Sequence, residues 1–134
     1  MVDGLAAGPV GDLDRRPPGI GQVIERWATD DDFWIRRSAL LAHLGPLRRG
    51  EGDFGRFARL ADGMLDEKEF FIRKAIGWVL RDAAKKRPAE VTAWLEPRIA
   101  RVSGVTIREA VKHLAVSDRE RLMDRYRRRG TVSS

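Results

Sequence analysis

A four-residue motif, in which Ile-Arg is followed by any residue and then a small one, occurs three times in this chain. It lies within FWIRRSA at 33–39, FFIRKAI at 70–76 and VTIREAV at 105–111. Its first residues, Ile35, Ile72 and Ile107, are 37 and then 35 residues apart. A period in the middle thirties is typical of paired helices that stack into a solenoid. The sequence therefore predicts an all-α fold, an α-solenoid of HEAT-like antiparallel helix pairs.

Apolar residues recur at helical spacing along most of the chain, and no segment alternates with the period of a strand. The predicted pairs are 20–28 with 32–44, 53–65 with 69–87, and 88–100 with 106–116. A terminal helix is predicted at 117–129, and a weaker one at 2–15. Capping boxes are predicted at residues 66–69, 106–109 and 117–120. All of this fits one domain, 1–134, with a disordered tail at 130–134.

Composition restricts where this chain works and what it binds. Its formal charge is +6 and its pI is about 10.4, which favours a polyanionic partner, although coding from a GC-rich genome would also enrich arginine. The absence of cysteine fits a cytoplasmic protein. No run is long and apolar enough for a membrane span, and the start lacks the pattern of a secretion signal. The basic stretch 125–129 is either a nucleic-acid contact or a frayed, solvated end.

The residue after each motif arginine is Arg37, then Lys74, then Glu109. Stacked repeats would place the first two on one surface as a two-step basic ladder, which suits phosphates. The glutamate ends this ladder. A salt bridge to a neighbouring acid is an equally good explanation of Arg37 and Lys74.

Trp78 follows Lys74 by four residues, so the two share a helix face. An aromatic ring beside a cation suits a base or a sugar, although a buried tryptophan is the general expectation. Gly77 allows close approach of a neighbouring helix. The motif isoleucines and four further aromatics are expected in the core: Trp34, Phe70, Phe71 and Trp94.

The chain shows no pattern for a metal, a cofactor or nucleophilic catalysis. Asp30, Asp31 and Asp32 are expected to cap a helix. His43 and His113 are isolated, and each is expected to be a core or surface histidine. We therefore expect neither a cofactor nor a metal.

Three runs, 27–41, 68–81 and 107–114, resemble the AlkD-like family of DNA alkylation-repair glycosylases, in the family's order and spacing. The resemblance implies a superhelix of HEAT-like repeats whose basic face holds duplex DNA. It also implies hydrolysis of the N-glycosidic bond of cationic N-alkylated purines, including N3-methyladenine and N7-methylguanine, without base flipping.

The family site uses one aspartate, two tryptophans and an arginine near the DNA backbone. By motif, Asp3 corresponds to the aspartate, Trp78 to one tryptophan and Arg37 to the arginine, with Lys74 as a second DNA contact. The other tryptophan would precede residue 1. A carboxylate can stabilise the oxocarbenium-like sugar that forms when a cationic base leaves, and tryptophan faces add cation–π attraction.

The resemblance covers the C-terminal part of the family's longer solenoid. We therefore expect a monomer that binds alkylated duplex DNA, and weak or no glycosylase activity from the 134-residue chain alone. The alternative is a non-catalytic HEAT-repeat module that binds nucleic acid or another protein.

Overall fold

The computed structural model describes residues 19–132, without the side chains of residue 20 and residues 130–132. Within this range every regular element is a helix, so the all-α prediction is confirmed. None of the described helices is both long and apolar enough to cross a membrane. The predicted helix at 2–15 lies outside the described residues. The helices are α1 (Ile20–Trp27), α2 (Phe33–Leu41), α3 (Leu44–Arg48), α4 (Phe54–Met64), α5 (Phe70–Ala84), α6 (Pro88–Leu95), α7 (Gly104–Ala110) and α8 (Val116–Val132), with a 3-10 turn at Glu96–Arg98.

The helices stack with α5 at the centre. Helix α1 packs against α2, and α5 contacts α2, α3 and α4 on the N-terminal side and α6 and α7 on the C-terminal side. Ile72 and Ile107 are fully buried, as the repeat motif predicts. Ile35 is only partly buried, so its assignment to the core is wrong; Ala39 and Leu40, one turn later, fill the core of the first repeat.

Several predicted helix ends are wrong for local reasons. Helix α2 ends at Leu41, before the predicted end at residue 44, and Pro46 lies within the first turn of α3, where a missing N–H costs little. Helix α5 begins without a side-chain cap, so the capping box at 66–69 is wrong. Ser103 caps α7 by accepting from the Thr106 N–H at 3.2 Å, which starts that helix two residues early. Helix α8 starts at Val116, before the predicted box at 117–120, and continues to Val132.

Ion pairs between successive repeats have a consistent direction. Helices α1, α4 and α6 are the first members of successive pairs. In the contacts that join them, including the turn after α6, the acid belongs to the earlier repeat, as in Glu25 with Arg59 and Asp62 with Arg98. In the contacts that join α2, α3, α5, α7 and the loop before α5, the arginine belongs to the earlier repeat. The three pairs of this second kind join Arg36 to Glu67, Arg48 to Asp82 and Arg81 to Glu109.

Gly77 lets α7 approach α5 closely, as predicted. A Cβ built on Gly77 would lie 2.8 Å from the Cβ of Glu109 and 3.0 Å from the carbonyl oxygen of Thr106. The Thr106 hydroxyl donates to the carbonyl of Arg73 at 2.9 Å in the same crossing. The backbone of α7 therefore occupies the space that a side chain at residue 77 would need.

We expect Gly77→Ala to destabilise the fold by about 1–2 kcal/mol. The overpacked crossing costs roughly 1–3 kcal/mol, which exceeds the helix propensity of about 1 kcal/mol that alanine adds. Urea unfolding followed by circular dichroism measures the difference. The matched control is Gly63→Ala in α4, where an added Cβ meets nothing within 4 Å. That variant should be stabilised by about 0.5 kcal/mol, and equal behaviour of the two variants would contradict the close-approach role of Gly77.

Candidate nucleic-acid interface

The two cations of the predicted ladder lie against aromatic rings. The Arg37 guanidinium carbon is 5.7 Å from the centre of the Trp34 ring, three residues earlier on α2. The Lys74 ammonium lies between two rings of α5, 5.7 Å from Phe70 and 5.3 Å from Trp78. Residues three and four apart on a helix are surface neighbours, which explains both contacts. All three distances are within the range of cation–π attraction.

The rings also connect the two helices. Trp34 on α2 lies 5.0 Å from Phe71 on α5, between ring centres, and Phe71 lies 5.4 Å from Phe70. A continuous series of contacts therefore runs from Arg37 across both helices to Trp78. We call this set the cation–aromatic stripe; its members are Trp34, Arg37, Phe70, Phe71, Lys74 and Trp78.

Three members of the stripe are exposed, and Arg37, Lys74 and Trp78 are half-buried. Trp34, Phe70 and Phe71 are 48%, 47% and 41% exposed, so their prediction as core residues is wrong, whereas Trp94 is buried as predicted. On α5, Ile72 and Ile76 and the residues around them fill the core, and the stripe residues occupy the opposite face. The spacing of Phe70, Lys74 and Trp78, four residues apart and out of phase with the isoleucines, is the sequence signal that could have identified this second face.

The charges of Arg37 and Lys74 are available for an external partner. Within residues 19–132, neither side chain forms an ion pair with a carboxylate. Glu109, the third residue in this column, forms ion pairs with Arg81 at 3.0 Å and Lys112 at 3.1 Å. Within residues 19–132, the salt bridge offered as the alternative explanation of Arg37 and Lys74 is therefore not formed.

Glu67 fixes the two helices of the stripe relative to each other. Its carboxylate accepts from Nε and a terminal nitrogen of Arg36, at 2.9 and 2.7 Å, and its carbonyl accepts from Nε of Arg73 at 2.8 Å. Arg36 and Arg73 immediately precede the two stripe cations in sequence. The hydrogen bonds to Glu67 raise the pKa of Arg36 above its ordinary value, which keeps this connection charged.

The loop before α2 supports the same end of the stripe. The Asp32 carboxylate accepts from the Trp34 N–H at 2.9 Å and caps α2, as predicted for the aspartates at 30–32. Arg36 also donates to the carbonyls of Asp30 and Asp31, at 2.7 and 3.0 Å. The first turn of α2, which carries Trp34 and precedes Arg37, is therefore held by the Asp32 cap and by the hydrogen bonds of Arg36.

The remaining predicted site residues lie elsewhere. His43 is buried, with Nδ1 3.3 Å from the Leu40 carbonyl and Nε2 accepting from Arg56 at 3.0 Å, so it is a core histidine. His113 is exposed. No cluster of potential metal ligands occurs in the part of the chain that the structure describes. Asp3 lies outside the described residues.

A row of exposed and half-buried rings, with two cations that form no ion pair within residues 19–132, can bind a polyanion that also offers flat groups. Cations neutralise phosphates, and ring faces stack on bases or sugars. Nucleic acid combines these features, and the aromatic members distinguish this surface from a purely basic patch.

Comparisons with known proteins point to the same partner. A family model described as DNA alkylation repair enzyme matches residues 1–114. The fold is similar to a solved structure named as a predicted DNA alkylation repair enzyme from Enterococcus faecalis, with 28% identity and a TM-score of 0.65. The match covers 73% of this chain and 44% of that one, so this chain spans less than half the length of the solved relative. No curated protein matches the chain. With a helical-repeat fold and a family match over most of its length, the chain belongs to the family of DNA alkylation repair enzymes.

Proposed function

We propose that this protein acts in DNA repair as a glycosylase that hydrolyses the N-glycosidic bond of cationic N-alkylated purines, such as N3-methyladenine and N7-methylguanine. Duplex DNA is the substrate. Arg37 and Lys74 contact the backbone, and Trp78 and Asp3 act at the deoxyribose of the damaged nucleotide. The observation that carries the proposal is the cation–aromatic stripe across α2 and α5, in a chain of a DNA repair family.

The environment of Trp78 suits a positively charged sugar. Its ring already has the Lys74 ammonium 5.3 Å from its centre, so one ring face attracts a cation. Loss of a cationic base leaves oxocarbenium character on the sugar, which this ring can stabilise once the Lys74 ammonium has moved from the ring to a phosphate. Phosphates would compete with Trp78 for Lys74, because a phosphate carries full negative charge and strong acceptors.

The charge of the leaving base determines which catalytic groups the enzyme must supply. A purine alkylated at N3 or N7 is already cationic and departs as a neutral base, so a general acid is dispensable. A carboxylate at residue 3 would stabilise the developing positive charge and orient the attacking water. An exposed stripe can contact the sugar and backbone while the base stays stacked, which favours excision without base flipping.

The DNA-binding part is tested by the salt dependence of affinity for a duplex of about 20 base pairs. Arg37→Ala and Lys74→Ala should each reduce the slope of log Kobs against log salt by about 1, because each removes one neutralised phosphate. The control is Lys86→Ala, which removes an exposed lysine without an ion pair in the described part of the chain, at the far end of α5 from the stripe. Equal slopes for all three variants and the parent would contradict this surface.

The catalytic part is tested by mass spectrometry of bases released from methylated duplex DNA, with protein in excess. We expect slow release of N7-methylguanine, reduced to the spontaneous rate by Asp3→Asn and by Trp78→Ala. DNA affinity of Asp3→Asn should stay close to that of the parent. No release by the parent would reject the glycosylase activity of this chain, and unchanged release by Asp3→Asn would reject the role of that carboxylate.

A further inference from the structure

The motif arginines hold the loop in front of their own helix. Arg36 donates to the carbonyl of Asp30 at 2.7 Å, and Arg73 donates to the carbonyl of Glu67 at 2.8 Å. In both repeats the acceptor is six residues before the arginine. The same rule applied to the third repeat would direct Arg108 to the carbonyl of Val102.

The third repeat breaks this rule. The Val102 carbonyl accepts instead from Arg129 of α8 at 2.6 Å, and the same nitrogen of Arg129 donates to the Ile99 carbonyl at 2.6 Å. Arg129 thus takes the position that Arg108 would otherwise fill. Arg108 is exposed and forms no ion pair with any residue from 19 to 132.

The Arg108 guanidinium and the Tyr126 hydroxyl both lie close to the position that a Cβ on Gly104 would occupy. A Cβ built on Gly104 would lie 2.7 and 3.0 Å from the two terminal nitrogens of Arg108, and 2.9 Å from the Tyr126 oxygen. The absence of a side chain at residue 104 therefore leaves the space that both tips occupy. The Arg129 guanidinium lies 4.1 Å from the centre of the Tyr126 ring, which adds positive charge beside them.

We propose that Arg108 and Tyr126 form a second contact for a nucleic-acid phosphate, beyond the point where Glu109 ends the ladder of Arg37 and Lys74. A guanidinium offers parallel N–H donors that match two phosphate oxygens, and a phenol adds an O–H donor. This inference rests on the proposed DNA binding. It extends the surface that contacts DNA from α5 to α7 and α8. Helix α8 begins after the family match, which ends at residue 114.

The test is the salt dependence of affinity for a duplex of about 30 base pairs. Arg108→Ala should reduce the slope by about 1 and weaken binding roughly five- to tenfold near 100 mM salt. Arg108→Lys should restore the slope, because it keeps the charge. Tyr126→Phe should weaken binding about twofold with the slope unchanged, because it removes one neutral donor. The thermal midpoint of Arg108→Ala should equal that of the parent, because the side chain has no ion pair to lose within residues 19–132.

The matched control is Arg127→Ala, an exposed arginine of α8 that forms no ion pair with the described residues. Equal losses in Arg108→Ala and Arg127→Ala would overturn the inference, because they would indicate a general effect of net charge. A parental slope in Arg108→Ala, together with a reduced slope in Lys74→Ala, would overturn the second contact and leave the proposed function standing. Parental slopes in Arg37→Ala and Lys74→Ala would reject the stripe itself.

Discussion

Arg48→Ala should destabilise the fold by about 3 kcal/mol at neutral pH, more than any other single ion-pair deletion in the described residues. The Asp82 carboxylate is only 3% exposed, and one of its oxygens accepts two hydrogen bonds from Arg48, at 2.6 and 3.2 Å. Lys85 and Arg81 lie farther away, at 3.6 and 3.8 Å. Without Arg48 a buried charge loses both direct donors, and urea unfolding measures the cost.

The matched control is Arg59→Ala. Arg59 forms an equally short contact, 2.6 Å, with Glu25, but that carboxylate is 38% exposed. Because water replaces the lost partner of an exposed acid, Arg59→Ala should cost less than about 1 kcal/mol. Equal losses would mean that burial of Asp82 does not determine the strength of its ion pair.

Acid should reduce the effect of Arg48→Ala. Burial raises the pKa of Asp82, but the hydrogen bonds from Arg48 and the charges of Arg48, Lys85 and Arg81 outweigh it, so the net pKa lies below the ordinary 3.8. A carboxyl whose pKa is lowered on folding contributes stability above its unfolded pKa and loses it as the pH falls through its folded pKa. The stability difference between parent and Arg48→Ala should therefore be greatest near neutrality and shrink well below pH 3.8. A difference that stays constant from pH 7 to pH 2 would contradict this assignment.

Glu67→Ala should reduce stability by about 2 kcal/mol and, if the stripe binds DNA, weaken DNA binding although it removes a negative charge. Arg36 is largely buried and would lose two charge-assisted hydrogen bonds. The helices that carry Arg37 and Lys74 would lose one of the connections between them and keep the ring contact of Trp34 with Phe71. Binding would then have to order the helices, at about 1 kcal/mol or roughly fivefold in affinity. Unfolding and DNA titrations on the same variant measure both effects.

Asp66→Ala is the control for charge, because Asp66 is the preceding residue and is 76% exposed in its ion pair with Arg101. Removing either acid should strengthen DNA binding if long-range repulsion dominates. We expect that result for Asp66→Ala alone. Stronger binding by both variants would show that Glu67 acts through its charge and does not position the stripe.

Much of the architecture is readable from local patterns. The repeat period predicts the helical-repeat fold, Asp32 caps α2, and Gly77 marks a close crossing, because each depends on backbone geometry within one or two helices. The pairing of Arg37 and Lys74 as a ladder follows from the same period. The roles of these two residues, of Trp78 and of Asp3 at DNA stay predictions that the experiments above address.

The core assignment of Trp34, Phe70 and Phe71 failed because hydrophobicity alone does not show which face of a helix meets a neighbour. On α5 the isoleucine face fills the core, and the aromatic face looks outward. The predicted helix ends were wrong where a tertiary contact replaced a local one. At α7, the Thr106 hydroxyl donates to the carbonyl of Arg73 and does not cap its own helix.

The sequence by itself determined the repeat, its period and the column of Arg37, Lys74 and Glu109, because these properties depend on spacing along one chain. Only the tertiary structure determined which of the charged side chains bind a partner within the described residues and which do not. Arg36 and Arg73 are held by Glu67, Glu109 is held by Arg81, and Arg129 displaces Arg108 from its loop. Arg73 and Glu67 are 6 residues apart, whereas the other hydrogen-bonded partners are 27 to 31 residues apart. Which of them meet is determined by distances across helices, which spacing along the chain does not contain.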